Sequence, residues 1–209
     1  MQVTTRYGDV REIRGVLFDM DGTLVDSTAA TERTWRAWAE QHGVEDRLTI
    51  LHGQPAIATV RSCFPDATDD ELDRLWRWQV DAERTDLDGV VAMSGAHDLL
   101  RWLGGEVPWI VVTSADLALA QARLGAAEIE APGIVSVEDV TFGKPHPEPF
   151  ITGARRLGLD VAQCLVVEDA AAGVTAGLSS GAVTAALNGH PADLAIDDLT
   201  HLHNLLAHG

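Results

Sequence analysis

Short apolar runs alternate with amphipathic stretches along most of this chain. Val16 to Phe18, Trp109 to Ser114, Cys164 to Asp169 and Val183 to Leu187 are compact segments bounded by glycine, proline or polar residues. Such runs predict strands buried on both faces. Ile134 to Ser136 is a weaker third strand, and Leu194 to Ile196 adds an edge. Between them, helical spacing predicts helices over Ala96–Leu103, Asp116–Leu124, Glu148–Leu157, Ala170–Ser180 and Leu199–Leu206. Ser94 is the expected N-cap of the first, Gly104-Gly105 its end, and Gly125 and Gly158 stop the second and third. Strands alternating with helices imply an α/β fold, a parallel sheet with helices on both faces.

One stretch breaks this rhythm. Thr28 to His42 has helical spacing, with Trp35, Trp38 and Ala39 on one side and Gly43 as its stop. Leu48 to Phe64 reads as a mixed helical segment. Phe64 to Glu71 carries a turn and a helix start rich in acids, and that helix runs to about Thr85. Trp35 and Trp38 read as packing residues. The expected organisation is a core from 1–27 and 91–209 with an all-helical domain, 28–90, inserted into it.

Composition narrows the partners. The 209 residues are 46% hydrophobic and 22% charged, as in soluble globular proteins. The net charge of −17 argues against nucleic acid, whose phosphates call for lysine and arginine. An anionic substrate then needs a local positive site. Cys63 and Cys164 lack metal-type spacing and read as reduced core thiols of a cytoplasmic protein. No apolar run is long enough to span a membrane, and Met1 to Arg14 lacks the apolar core of a signal peptide.

Candidate chemistry gathers at strand ends. The first strand runs into Asp19-Met20-Asp21-Gly22-Thr23. Two carboxylates held close repel, so the pair needs a cation or a shared proton. Mg2+ meets that need with one or two carboxylates plus substrate phosphate oxygens; the competing reading is a strand followed by an Asp-Gly turn. The next strand ends in Thr113 and Ser114, and a later one in Glu168 and Asp169. Between these lies Gly143-Lys144-Pro145, with the single lysine among fourteen arginines. Lysine is a compact point charge, suited to a phosphoryl oxygen beside crowded carboxylates.

These motifs, in this order, resemble the haloacid dehalogenase superfamily: Asp19-x-Asp21-Gly22-Thr23, Thr113, Gly143-Lys144-Pro145 and Glu168-Asp169-Ala170-x-x-Gly173. The resemblance covers about residues 14–200 and implies a Rossmann-like sheet. The helical insert resembles the small cap of the phosphoglycolate phosphatase and β-phosphoglucomutase branch. Leu51-His52-Gly53-Gln54 and Pro108 to Ser114 resemble the bacterial sugar- and hexitol-phosphate phosphatases. The resemblance implies a nucleophile, Asp19, and an acid–base residue, Asp21. It implies Mg2+ held by Asp19, the Asp21 carbonyl and Asp169, with Glu168 supporting that site. Thr113, Lys144 and backbone amides near Met20, Asp21 and Ser114 would hold the phosphoryl group, and Gly22 and Gly173 would serve the turn and close helix packing.

His52, Gln54 and Arg61 are candidate donors to sugar hydroxyls; each has a structural alternative, a satisfied loop carbonyl for His52 and a solvated charge for Arg61. His146 reads as structural. Where the mutase branch carries a cap histidine and a cap arginine, this chain has Thr31 and Ala56, which favours hydrolysis. Ala115 and Ser94 stand where relatives often carry Gly and Pro. A phosphonate hydrolase would need a cap lysine, and the insert has none. A signalling receiver domain uses similar groups, but its acidic pair precedes the nucleophile and it lacks the insert. The expectation is a phosphatase acting, as a monomer, on small phosphorylated sugars or polyols. The runner-up is a phosphatase for phosphoglycolate or glycerol phosphate, with a phosphoglucomutase-type transferase behind it.

Overall fold

The computed structural model describes residues 1–208 apart from His52 and Glu106. In chain order it forms β1 (Gln2–Thr4), β2 (Val10–Glu12), β3 (Gly15–Phe18), β4 (Val25–Asp26), α1 (Thr28–His42), α2 (Ala56–Cys63) and α3 (Asp69–Thr85). There follow β5 (Val91–Ala92), α4 (Ala96–Leu103), β6 (Trp109–Val112), α5 (Leu117–Ala126), β7 (Ile134–Val135) and α6 (Glu148–Arg156). The chain closes with β8 (Cys164–Glu168), α7 (Ala171–Ser180), β9 (Val183–Ala186), β10 (Leu194–Ala195) and α8 (Leu199–His208).

Six strands form one parallel sheet in the order β10-β9-β8-β3-β6-β7. Alternation along β3 explains the layers, because successive side chains leave opposite faces. Val16 and Phe18 join a core with Leu99 of α4, Leu124 of α5 and Leu202 of α8. Leu17 joins the other core, with Phe150 of α6 and Ala176 of α7. The chain winds outward from β3 on one side through β6 and on the other through β8, so three chemically loaded strand ends become neighbours. Such a switch point is where open α/β sheets bind ligands.

The chain leaves and re-enters the sheet through an antiparallel ribbon, Val25 opposite Ala92 and Asp26 opposite Val91. Between these strands α1, α2 and α3 pack around their own core of Trp35, Trp38, Val60, Cys63 and Leu72. Both tryptophans pack in this core edge to face, as expected, the Trp38 indole donating to the Leu75 carbonyl at 3.1 Å, while Trp35 also borders the cavity over the sheet. Thr68 and Glu71 form a reciprocal capping box at the start of α3, where the acid-rich run predicted a helix start.

Local expectations differ at four places. The first residues form a hairpin, β1 with β2, because Val3 buries one side of it and the Met1 amine donates to the Ile13 carbonyl at 3.1 Å. Only 56–63 of the segment 48–64 is α-helical; Gly53 has φ +75° and Pro55 precedes the helix. The N-cap of α4 is Gly95, not Ser94. Its backbone lies so near Thr200 that a Cβ there would stand 2.6 Å from the Thr200 nitrogen. Gly125 does not stop α5, which begins on an Asp116 cap and continues to Ala126.

Candidate active site

Every core residue singled out by motif lies at the carboxyl end of the sheet. Asp19 follows β3 directly, and its amide donates to the Val167 carbonyl at 3.0 Å. The chain then turns sharply. The Leu24 and Val25 amides both donate to the Met20 carbonyl at 2.9 Å, and Gly22 adopts φ +84°. A Cβ on Gly22 would stand 2.2 Å from an Asp169 carboxylate oxygen, so this turn tolerates only glycine. Met20, expected to offer its backbone to the phosphoryl group, is wholly buried, and its carbonyl is taken up by the turn.

Lys144 ties the strand ends together. Its Nζ donates to Asp19 at 2.5 Å, to Glu168 at 2.6 Å and to the Val112 carbonyl at 2.9 Å. The side chain is fully buried, and the two carboxylates raise its pKa although burial opposes this. Glu168 turns its second oxygen to the amides of Asp169 at 3.0 Å and Ala170 at 3.1 Å. Gly173 makes room for it: a Cβ there would stand 1.6 Å from Glu168 Oε1. Thr113 is buried beside β7, its amide on the Val135 carbonyl and its hydroxyl accepting from the Ala115 amide.

Asp19, Glu168 and Asp169 each offer an oxygen within 4.8 Å of the others. Burial, then Glu168, push the Asp19 carboxyl well above its ordinary range, against the pull of Lys144. Burial, then Glu168, push Asp169 up to about 7. One lysine cannot neutralise three clustered carboxylates, and a set of hard oxygen donors with surplus negative charge suits Mg2+. Glu168 already gives both oxygens to Lys144 and to backbone amides, so Asp19 and Asp169 are the freer donors.

Asp21 has partners that motif reading missed. Its Oδ1 accepts from Ser27 at 2.6 Å and from Arg123 of α5 at 2.9 Å. Arg123 also donates to Thr31 of α1 at 2.9 Å and approaches Glu83 of α3 at 3.6 Å. A signal existed: Leu119, Ala120, Arg123 and Leu124 share the buried face of α5, and a charge on such a face demands partners. Likewise Glu83 continues the buried Leu72-Gln79-Val80 face of α3.

A cavity of about 340 Å3 opens between the insert and the sheet. Asp19, Asp21, Thr113, Ser114 and Asp169 line its floor, and Gln54, Trp76 and Glu83 belong to its other wall. The Ser114 hydroxyl donates to the Gly53 carbonyl at 2.9 Å, and Arg84 pairs with Asp116 at 2.9 Å, joining the two walls. Arg61 lies away from this cavity, exposed and 3.4 Å from Asp69. His146 accepts from the Glu148 amide at 3.2 Å, a structural contact. His52 lies outside the described residues.

Residues 13–181 match the haloacid dehalogenase-like hydrolase family. The chain belongs to this family. Hexitol phosphatase A of Escherichia coli K12 is 41% identical over 184 residues, covering 86% of this chain and 85% of that protein. Fructose-1-phosphate phosphatase of the same organism is 28% identical over 173 residues, covering 80% and 92%. A hydrolase from Pseudomonas syringae superposes with a TM-score of 0.83 at 26% identity, over 93% of this chain and 98% of the other. The haloacid dehalogenase-like chain described here is thus a hydrolase with the expected parallel α/β core and inserted helices. No helix among its described residues is long and apolar enough to cross a membrane.

Proposed function

We propose that this hydrolase is a Mg2+-dependent phosphatase for small phosphorylated sugars or polyols, working through an aspartyl-phosphate. The observation that carries the reading is Lys144 bonded at once to Asp19 and Glu168 at the switch point of the sheet. An Asp19 oxygen attacks phosphorus in line and the P–O ester bond breaks. Asp21 gives its proton to the leaving alcohol, then takes one from the water that attacks the aspartyl-phosphate, releasing phosphate and restoring Asp19. Lys144, Thr113 and the amides near Met20, Asp21 and Ser114 hold the equatorial oxygens, so positioning and charge stabilisation supply most of the acceleration.

Asp19, the Asp21 carbonyl and Asp169 would hold Mg2+, with Glu168 fixing the group from behind. The ion, when bound, supplies charge neutralisation at the phosphoryl oxygens. Residues 28–90 serve as a cap that excludes water and reads the leaving group, with Gln54 and His52 as candidate contacts. The kinship with a hexitol phosphatase and a fructose-1-phosphate phosphatase supports the substrate class. Against a mutase, Thr31 occupies the place of its cap histidine and is bonded to Arg123.

The test is phosphate release from a panel of hexitol, hexose, glycerol and glycolate phosphates, with Mg2+ or chelator, by wild type and Asp19→Asn. Mg2+-dependent release, lost in the variant and best with a sugar or polyol ester, is expected. No release from any ester by folded protein would overturn the reading.

A further inference from the structure

Glu83 is 95% buried and contributes to the wall of the cavity that holds Asp19 and Asp21. An ionised carboxylate has about four acceptor positions, and buried polar groups are normally partnered. Glu83 has few partners. Gln79 contributes a side-chain contact from the preceding turn, and Arg123 stands 3.6 Å away, beyond hydrogen-bond distance. Acceptor capacity therefore remains at the cavity wall.

Arg123 is not open to a charged ligand: its one unpartnered nitrogen, Nε, is buried away from solvent. It is the one cationic residue lining the cavity among the described residues, and its two terminal nitrogens donate to Asp21 and Thr31, each at 2.9 Å. The other charged residues on the leaving-group side are acids: Asp116, paired with Arg84, and Asp73, 3.5 Å from Arg77. A leaving group carrying a carboxylate would meet Glu83 with no free countercharge. A neutral leaving group carrying hydroxyls could donate to it, at the far side of the arginine that grips Asp21.

From this we infer that Glu83 is the specificity residue of the site: it accepts hydroxyls of a neutral polyhydroxylated leaving group and repels leaving groups that carry a carboxylate. The inference rests on the phosphatase reading and narrows it, setting hexitol-type esters above phosphoglycolate. Sites that hydrogen-bond a substrate hydroxyl discriminate far more strongly than apolar pockets do.

The test is calorimetric binding of sorbitol 6-phosphate and of phosphoglycolate at pH 8, above the pH of about 7 through which Glu83 loses its proton, with Mg2+ present, to Asp19→Asn protein, which does not turn over. We expect the sorbitol ester to bind at least tenfold tighter. Adding Glu83→Gln removes the charge but keeps hydrogen-bonding atoms, so phosphoglycolate should gain about tenfold and the gap should close. Adding Glu83→Ala should weaken the sorbitol ester about tenfold, with melting curves checking that both variants fold. Equal binding of the two esters by the parent, or a preference unchanged within twofold in Glu83→Gln, would overturn the assignment. These outcomes are separate from the phosphatase reading, which fails only if wild type releases no phosphate.

Discussion

Lys144 and Asp19, 125 residues apart, meet at 2.5 Å, the lysine fully buried beneath a carboxylate that borders the cavity. The same ammonium holds Glu168, so one cation stands between two carboxylates that would otherwise repel across the ends of β3 and β8. Removing it should cost both stability and rate. For Lys144→Met we expect a loss of about 3–5 kcal/mol, the cost of leaving buried charge unpaired. Phosphatase activity should fall by at least about 100-fold, as when an oxyanion donor is removed. Urea melts at pH 5 and pH 8 check the origin: burial, then Glu168, hold the Asp19 carboxyl well above its ordinary range, and once protonated it needs no counterion, so the loss should be smaller at pH 5.

Gly173 gives a steric test of Glu168. Its missing Cβ is the space Glu168 occupies, so Gly173→Ala should force the carboxylate off Lys144. Overpacking of this kind costs about 1–3 kcal/mol. Gly125→Ala, on α5 with open space around it, is the control, and should be neutral or slightly stabilising. Equal melting temperatures for the two variants would contradict the packing account.

Clustered carboxylates make folding sensitive to a divalent cation. A ligand that binds only the folded state stabilises it by about 2.7 kcal/mol at 100 times its dissociation constant. Mg2+ should therefore raise the melting temperature relative to chelator, and Asp169→Asn should abolish most of that rise. A rise that persists in Asp169→Asn would move the metal away from this cluster.

Glu83 predicts a pH effect of known sign. Burial pushes its carboxyl up to about 7, against the favourable Arg123 of α5 and Gln79 of its own helix, with Asp21 and Asp116 adding to the rise. The folded protein then keeps a proton that the unfolded chain releases from about pH 4.5 upward. That contribution to stability is complete below about 4.5 and is lost as pH rises through about 7. Glu83→Gln should match wild type near pH 4.5 and be more stable at pH 8, by up to about 3 kcal/mol. Thermal melts across this range read it directly.

The frame of the candidate site was legible because its signals are local. Each loaded strand is a short apolar run that ends in the residues of interest, and the parallel α/β alternation leaves those ends on one edge. Lys144 stood out as the single lysine. The Ser94 cap misread the chain because the approach of α8 decides where α4 begins. The hairpin of β1 and β2 escaped notice because its strands are three residues each, too short for periodicity to register.

By itself, the order of residues determined the sheet, its loaded strand ends and the chemistry those side chains can perform, since strand alternation and motif spacing are properties of neighbouring positions. Only the tertiary structure decided what Asp21 leans on. Arg123 lies 102 positions from it, and Glu83 and Thr31 come from separate helices. Their meeting depends on α3 and α1 folding over α5, where burial removes water as an alternative partner and forces these charges to answer one another.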